Sequence, residues 1–274
     1  MNASNPDQHV RAKERTWLLA EKYAGRKTPE FFADLERLAQ GEPLAYVIGW
    51  IDFLGTRINL SEHPLIPRPE TEWWAERVIE KLKGERGPDA VLRILDLFAG
   101  SGAIGIALAR ALPHAAIVSA DIADRAIRAI RMNAERNGCA NRVEVVESDL
   151  FASIRGTFDV IVANPPYIDP AHPETVEASV LAHEPHEALF GGERGLAIIE
   201  RFLAESPGYL ADDGILAMEF GKGQEHAIAG LAAALPFATV EIANDQFGIP
   251  RWILATKENT RGERASGPGE SGGI

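Results

Sequence analysis

The chain has 274 residues, and its 46% hydrophobic and 25% charged residues are typical of a folded globular protein rather than a disordered one. The formal net charge of −12 counts against a nucleic-acid partner, because such proteins usually carry a basic face that neutralises phosphates. The single cysteine, Cys139, excludes a disulfide framework. With no apolar signal-type start and no run of about 18 apolar residues, we expect a cytoplasmic protein that does not span a membrane.

The first 40 residues are predicted to form a small helical domain. Apolar side chains recur at roughly helical spacing over 8–23 and over 29–40. Each stretch is long enough for an ordinary globular helix. We therefore expect two helices within residues 1–40.

Residues 41–72 are predicted to form a β-hairpin linker. From Leu44 to Leu60 the content of β-branched and aromatic residues rises around Gly49 and Gly55, a composition typical of short strands joined by turns. Three prolines then favour an extended path. A helix is expected to begin after them, near Thr71.

Beyond about residue 91, strand-like apolar runs alternate with helical patterns, which predicts a doubly wound, mostly parallel sheet. The predicted strands cover 92–98, 116–121, 143–146, 158–163 and 214–220, and the predicted helices cover 103–111, 123–137, 193–206 and 223–234. Two late strands, at about 237–243 and 250–256, are expected to pair antiparallel at one edge, which gives seven strands in a domain of residues 73–256. Residues 257–274, rich in Gly, Ser, Glu and Arg, are predicted to be a disordered tail.

A loop of small residues follows the first strand of this domain and is a candidate ligand site. It consists of Phe98, Ala99, Gly100, Ser101 and Gly102. Glycine at a strand-to-helix turn lets the backbone approach a ligand with no Cβ in the way. A tight turn without any ligand is the alternative.

Two aspartates after the next strands strengthen the case for a nucleoside ligand. Asp121 lies about 20 residues beyond the loop, where a carboxylate can accept hydrogen bonds from both ribose hydroxyls. Its alternative role is to cap the following helix. Asp149 is placed to contact an adenine amine, next to an apolar wall of Leu150 and Phe151, although it could equally be a plain turn residue.

The tetrapeptide Asn164-Pro165-Pro166-Tyr167 follows the fourth strand and is the candidate catalytic segment. The two prolines lack N–H donors, so the carbonyls of Asn164 and Pro165 are rigid and free to accept. Together with the Asn164 side-chain oxygen, one of them can hold both hydrogens of a planar amide or aromatic amine nitrogen. Tyr167 can stack on the planar acceptor. Orientation and electrostatics would then carry the catalysis without a strong base.

These motifs resemble the release factor glutamine N5-methyltransferase family, and the match covers about residues 41–256. It rests on 41–49 (GEPLAYVIG), 65–72 (LIPRPETE), 164–168 (NPPYI), Glu184-Pro185 with Ala188-Leu189, and 219–221 (EFG) with Gln224. The 66–72 segment discriminates, because Asn-Pro-Pro-Tyr also occurs in methyltransferases that act on adenine and guanine amines.

The resemblance implies a Rossmann-like class I methyltransferase fold, an N-terminal domain that docks the substrate, and S-adenosyl-L-methionine as cofactor. It places cofactor contacts on 98–102, Asp121, Leu150 and Asn164, and glutamine contacts on 164–167. The expected reaction is methylation of a glutamine side-chain amide, in the Gly-Gly-Gln loop of a peptide chain release factor. The chain departs from the family in its loop, Phe-Ala-Gly-Ser-Gly instead of Gly-Thr-Gly-Ser-Gly, and in a shorter segment before Gly41.

Two other functions stay open at the level of sequence: a nucleic-acid amine methyltransferase and a non-catalytic scaffold that binds the cofactor. Residues 1–40 carry seven basic and six acidic side chains and residues 257–274 three of each, so residues 41–256 have a net charge of −13. This charge disfavours a polyanionic substrate, and the intact tetrapeptide with Asp121 argues against a decayed site. We expect no metal site, because the histidines lack a metal-ligand spacing. We also expect a monomer.

Overall fold

The protein structure, a computed structural model, describes residues 10–259. The first two residues of the helix predicted over 8–23, and residues 260–274 of the predicted tail, lie outside the described residues. No helix within 10–259 is both long enough and apolar enough to cross a membrane.

Three helices form the N-terminal part: α1 (Ala12–Glu21), α2 (Pro29–Ala39) and α3 (Leu44–Ile48). The first turn of α2 is set by its sequence, because Pro29 occupies the first turn and the Thr28 hydroxyl accepts the N–H of Phe31. The three helices bury one apolar cluster, which contains Leu18, Phe31, Leu35 and Val47.

The strand-like interpretation of residues 44–48 is wrong, because this segment forms α3. Val47 is fully buried in the cluster of the first two helices. Burial there outweighs the β-propensity of Val and Ile, which is a weak local preference. The cluster thus extends past residue 40, and the domain boundaries drawn from the sequence stay predictions.

The hairpin itself is present further along, as β1 (Trp50–Phe53) and β2 (Thr56–Asn59). Leu54 and Gly55 at its tip both have positive φ, 47° and 72°, as a two-residue hairpin turn requires. The Asn133 side chain accepts the N–H of Asn59 at 2.8 Å and so ties the hairpin to the larger domain.

The helix α4 (Pro69–Arg86) begins at Pro69, two residues before the predicted start. Proline suits the first turn of a helix because its missing N–H has no intrahelical partner there. The helix buries Thr71 and Trp74 against the sheet domain.

A seven-stranded sheet forms the main body, which confirms the predicted fold class. Its strands are β3 (Arg93–Leu97), β4 (Ala116–Asp121), β5 (Val143–Glu147), β6 (Phe158–Ala163), β7 (Leu210–Glu219), β8 (Phe237–Asn244) and β9 (Pro250–Lys257). Their order is β5-β4-β3-β6-β7-β9-β8, and only β9 runs antiparallel to its neighbours β7 and β8.

Helices cover both faces of the sheet. The remaining ones are α5 (Ala103–Ala111), α6 (Asp124–Arg136), α7 (Ala178–His183), α8 (Ala197–Glu205) and α9 (Glu225–Ala233). Alternate strand residues point to opposite faces, so one apolar cluster packs under α4, α5 and α6 and another under α8 and α9. The start of α8 is later than predicted because residues 193–195 form a separate 3₁₀ turn.

The strand order reverses between β3 and β6, since the chain moves outward to β4 and β5 and then returns to add β6 and β7 on the other side. In doubly wound folds, ligands bind at this switch point, outside the carboxyl ends of the strands. The segments that follow β3, β4, β5 and β6 therefore meet at one place. All the predicted site residues lie on them except Asp121, which is the last residue of β4.

Candidate cofactor cavity and acceptor cleft

A cavity of about 1110 Å³, its open mouth included, lies at the carboxyl ends of β3 to β6. Eight of the nine predicted cofactor residues line it: Phe98, Ala99, Gly100, Ser101, Asp121, Asp149, Leu150 and Asn164. Gly102 does not line it. That residue is the N-cap of α5 with φ at 81°, and a Cβ there would approach Ile130 at 3.3 Å. Its glycine thus serves the entry into the helix.

The loop after β3 takes a backbone path that most side chains avoid. Phe98 and Gly100 have φ of 61° and 54°, in the left-handed region. A bulky residue there costs about 1–2 kcal/mol, which the structure offsets by packing the Phe98 ring edge-on against Phe202, with centroids 5.8 Å apart. Phe98 can therefore keep this backbone conformation and line the cavity.

Asp121 holds this loop in place. Its carboxylate accepts the N–H of Gly100 at 2.9 Å and the N–H of Ala123 at 3.0 Å. Burial raises the pKa of Asp121, while the backbone N–H groups oppose that shift. A carboxylate has about four acceptor positions, so both oxygens can still accept ribose hydroxyls.

A second carboxyl, Asp96, lies buried on β3 behind the loop. Burial raises the pKa of Asp96 to about 7, although its Oδ2 accepts the N–H of Gly105 at 2.9 Å. Among the described residues its Oδ1 has no hydrogen-bond partner. Gly105 has to be glycine, because a Cβ there would lie 2.7 Å from Oδ2 of Asp96.

The segment after β5 differs partly from expectation. Leu150 lines the cavity and has a positive φ of 48°. Phe151 does not form the expected wall, because it is buried in the core and stacks on Phe202 and Tyr209. Asp149 lies at the cavity with its side chain half exposed, 3.5 Å from the Arg201 guanidinium. Its contact with an adenine amine stays a prediction.

A wider cleft adjoins the cavity, and Asn164 lines both. Pro166 faces the cofactor cavity, whereas Pro165 and Tyr167 line the cleft. The tetrapeptide that follows β6 is thus the partition between two spaces. The four predicted catalytic residues thus lie at the junction of the two spaces.

Behind this partition lies a buried carboxylate that the sequence did not single out as a site residue. Glu219, the last residue of β7, accepts Thr71 Oγ1 at 2.6 Å and Trp74 Nε1 at 2.8 Å with its Oε2. Its Oε1 accepts the Tyr167 hydroxyl at 3.1 Å. The Asn164 Nδ2 in turn donates to Thr71 Oγ1 at 3.3 Å. The network joins both polar side chains of the tetrapeptide to one buried anchor.

The backbone of Tyr167 is held by a second clamp. Gln224 Nε2 donates to the Tyr167 carbonyl at 3.0 Å, and Gln224 Oε1 accepts the N–H of Gly221 at 2.8 Å. Gly195 approaches the same carbonyl so closely that a Cβ there would lie 2.0 Å from the oxygen. These contacts fix the exit of the tetrapeptide.

The proline-rich linker forms the rim of both spaces. Glu184, whose side chain is 1% exposed, binds Arg68 Nη2 at 2.6 Å and accepts the N–H of Ile66 at 3.1 Å. Leu65 lines both the cavity and the cleft. From the sequence alone, the 65–72 motif is only a rigid linker. The ion pair shows that this segment is also anchored to Glu184.

The sequence of the chain matches known methyltransferases over most of its length. The family described as "Methyltransferase small domain" matches residues 78–192. The release factor glutamine methyltransferase of Streptococcus pneumoniae is 35% identical over 238 residues, 86% of this chain and 83% of that protein. The Bacillus anthracis protein of the same name is 35% identical over 91% of this chain and 90% of its own length. The chain belongs to the release factor glutamine methyltransferase family.

A methyltransferase from Pyrococcus furiosus shares the fold of this family member, with a TM-score of 0.54 at 18% identity over 75% of this chain and 90% of that one. The predicted family and fold are thus confirmed, as is S-adenosylmethionine as cofactor. The cavity suits that group, since it combines a carboxylate with free acceptor positions, an apolar side and a glycine-containing loop.

No group of three or more His, Cys, Asp or Glu side chains within the described part of this methyltransferase is placed to hold a metal ion. The residues that sequence reasoning missed are Thr71, Trp74, Glu219 and Gln224. Two of the motifs behind the family resemblance, 65–72 and 219–221 with Gln224, contain three of them. No local pattern, however, indicated that those residues contact the tetrapeptide.

Proposed function

We propose that the chain transfers a methyl group from S-adenosylmethionine to the side-chain amide nitrogen of a protein glutamine, in the Gly-Gly-Gln loop of a peptide chain release factor. The observation that carries the proposal is the position of Asn164. Its side chain lies where the cofactor cavity meets the cleft, and its Nδ2 is committed to Thr71. In the described range of the chain, no group donates a hydrogen bond to its Oδ1, so this oxygen is available as an acceptor at the junction.

The tetrapeptide supplies what a planar amide nitrogen needs. The lone pair of an amide nitrogen is delocalised, so the nitrogen has to be held facing the methyl group that the bound cofactor supplies. Asn164 Oδ1 can accept one amide hydrogen and the carbonyl of Asn164 or Pro165 the other. Among residues 10–259, no N–H or O–H group donates to either carbonyl. Alignment and preorganised acceptors then lower the barrier. The bond from nitrogen to the methyl carbon would form as the carbon–sulfur bond breaks, which would release S-adenosylhomocysteine. One of the two amide hydrogens would leave as a proton to water in the cleft.

Tyr167 acts as a wall of the acceptor site rather than as a base. Its hydroxyl donates to Glu219, and burial raises the pKa of Tyr167 above its usual value, with the nearby Glu219 charge adding to the effect. The phenol therefore keeps its proton at neutral pH. Its ring is left to stack on the planar amide.

The charges around the cleft suit a polypeptide better than a nucleic acid. The basic residues that line it are Arg68, Arg194, Lys222 and Arg251, and the acidic ones are Glu70, Asp169, Glu177 and Glu219. A groove for nucleic acid would carry an excess of basic side chains to neutralise phosphates. Balanced charges fit an extended peptide in which glycines flank the glutamine.

The release factor is the acceptor that best fits the relatives' names. In this proposal the helices of residues 1–40 hold the body of that factor while its Gly-Gly-Gln loop enters the cleft. The enzyme acts as a monomer in the cytoplasm, with cofactor contacts on residues 98–101, Asp121, Asp149, Leu150 and Asn164, and acceptor contacts on residues 164–167. Gly102, which does not line the cavity, is left out of this set.

Tandem mass spectrometry tests the proposal. A recombinant release factor is incubated with S-adenosylmethionine and either the wild-type enzyme or Asn164→Ala. We expect one added methyl group on the glutamine of the Gly-Gly-Gln loop, only with the wild-type enzyme. A release factor with that glutamine replaced by alanine is the matched substrate control. A methyl group on another residue, or methylation of RNA or DNA with none on protein, would overturn the assignment.

A further inference from the structure

The Glu219 carboxylate behind the tetrapeptide has consequences for the Asn164 side chain. Glu219 is 1% exposed, and it is bound by two buried groups of α4, Thr71 and Trp74. Thr71 lies between Glu219 and Asn164, and its Oγ1 contacts both. The direction of these hydrogen bonds decides how the Asn164 amide is oriented.

The donors can be assigned by counting hydrogens. The Trp74 indole N–H can only donate, and it points at Glu219 Oε2. Burial raises the pKa of Glu219, but the donors Thr71, Trp74 and Tyr167 oppose that shift. With Glu219 ionised, Thr71 Oγ1, 2.6 Å from the same Oε2, gives its single hydrogen to that oxygen. Toward Asn164, therefore, Thr71 Oγ1 can only accept. An asparagine presents its NH₂ to such an acceptor, as the 3.3 Å contact from Nδ2 has it.

This assignment excludes the opposite orientation of the amide. A flipped Asn164 would place its oxygen against the lone pairs of Thr71 and its NH₂ at the junction. There it would face the NH₂ of an acceptor amide, and two donors cannot bind each other. Only the orientation held by Thr71 adds a side-chain acceptor to the backbone carbonyl at the reacting nitrogen.

We infer that Thr71 is a positioning residue for methyl transfer: anchored as a donor on Glu219, it turns the Asn164 amide so that Oδ1 faces the acceptor nitrogen. This inference rests on the proposed function. Thr71 acts through Asn164 and does not itself bind the acceptor nitrogen. The same carboxylate holds the Tyr167 hydroxyl, so α4 and β7 together set two side chains of the acceptor site.

Kinetics of Thr71→Val and Thr71→Ser on a recombinant release factor test the inference. Valine keeps the shape but removes the hydroxyl, whereas serine keeps the donor and acceptor. We expect Thr71→Val to lower kcat roughly ten- to a hundredfold, as for other small misplacements of a catalytic group. The KM for the release factor and the affinity for S-adenosylhomocysteine should change little. Thr71→Ser should restore most of the rate.

A measurement without acceptor separates this inference from the glutamine assignment. The Asn164 side-chain amide protons can be followed by ¹⁵N-edited NMR, with Asn164→Ala to identify the signal. We expect one proton to be shifted downfield and protected from exchange in the wild type and in Thr71→Ser, and the shift to be lost in Thr71→Val. If Thr71→Val does not fold, Thr71→Ala replaces it, because alanine also lacks the hydroxyl but puts no methyl group in its place. The same loss of the downfield shift is expected.

Wild-type kcat in Thr71→Val, or an Asn164 amide signal that does not change in Thr71→Val, would overturn the inference. So would equal losses of kcat in the valine and serine variants, because the serine variant keeps the hydroxyl. If instead the NMR signals behave as expected but no release factor is methylated, the positioning role holds and the substrate assignment fails.

Discussion

The Asp121 carboxylate at the end of β4 accepts the backbone N–H of Gly100 in the loop after β3, at 2.9 Å. The carboxyl end of β4 is thereby hydrogen-bonded to the loop after β3, through the residue expected to bind the ribose. The carboxylate serves the loop and the ligand together, since its N–H contacts leave acceptor positions free. Cofactor affinity and loop geometry are consequently coupled at this residue.

Asp121→Ala should weaken the binding of S-adenosylhomocysteine roughly ten- to a hundredfold, since hydrogen bonds to a charged group contribute about 1.5–3 kcal/mol. Calorimetric titration measures the affinity. Asp89→Ala is the control, because Asp89 is an exposed carboxylate that precedes β3, at the opposite end of the strands. Unchanged affinity in Asp121→Ala would assign this residue to the loop alone.

Asn164→Ala should lower the rate of methyl transfer by about a hundredfold or more, on the scale of other preorganised polar contacts. Cofactor affinity should fall much less, because the cavity keeps Asp121 and the loop. Single-turnover rates and calorimetry separate the two effects. A rate within a few-fold of wild type would contradict the role proposed for Oδ1.

Asp96 should make stability depend on pH. Its pKa is raised from the ordinary 3.8 to about 7 by burial, so the folded state binds the proton more tightly than the unfolded state. Its favourable contribution is therefore present below about pH 4 and is lost as pH rises to about 7. Urea unfolding of the cofactor-free protein should show wild type losing stability over this range relative to Asp96→Asn. Parallel pH profiles for the two proteins would contradict it.

Gly195→Ala should destabilise the protein and slow methyl transfer. The new Cβ would lie 2.0 Å from the Tyr167 carbonyl oxygen, and φ is 68°, so we expect a loss of about 1–3 kcal/mol. Gly230→Ala is the matched control. It lies in α9 with no atom within 4 Å of its added Cβ, and it should stabilise the helix by up to about 1 kcal/mol. Equal melting temperatures in the two variants would refute the steric argument.

Much of the candidate site follows from local sequence. Strand and helix periodicities place the glycine-containing loop, Asp121 and the tetrapeptide at the ends of successive strands, and parallel strands end at a common edge. Since each of these residues follows its own strand directly, their meeting at one cavity needs no knowledge of side-chain packing. The left-handed φ of Phe98 is a different case, because only its contact with Phe202 explains how a phenylalanine is tolerated there.

The sequence by itself determined the succession of the seven strands and, apart from the short α7, of the helices between them. It also determined the identity of the tetrapeptide, because these features depend on local periodicity and on proline and glycine placement. Tertiary structure alone decided the helical fold of residues 44–48, because Val47 is buried in the N-terminal apolar cluster. It also decided the environment of Asn164. Thr71 and Glu219 are 148 positions apart, and they meet only because α4 packs against the end of β7. Hydrogen bonds between buried groups so distant in the chain leave no trace in local pattern, since each partner's burial depends on the whole fold.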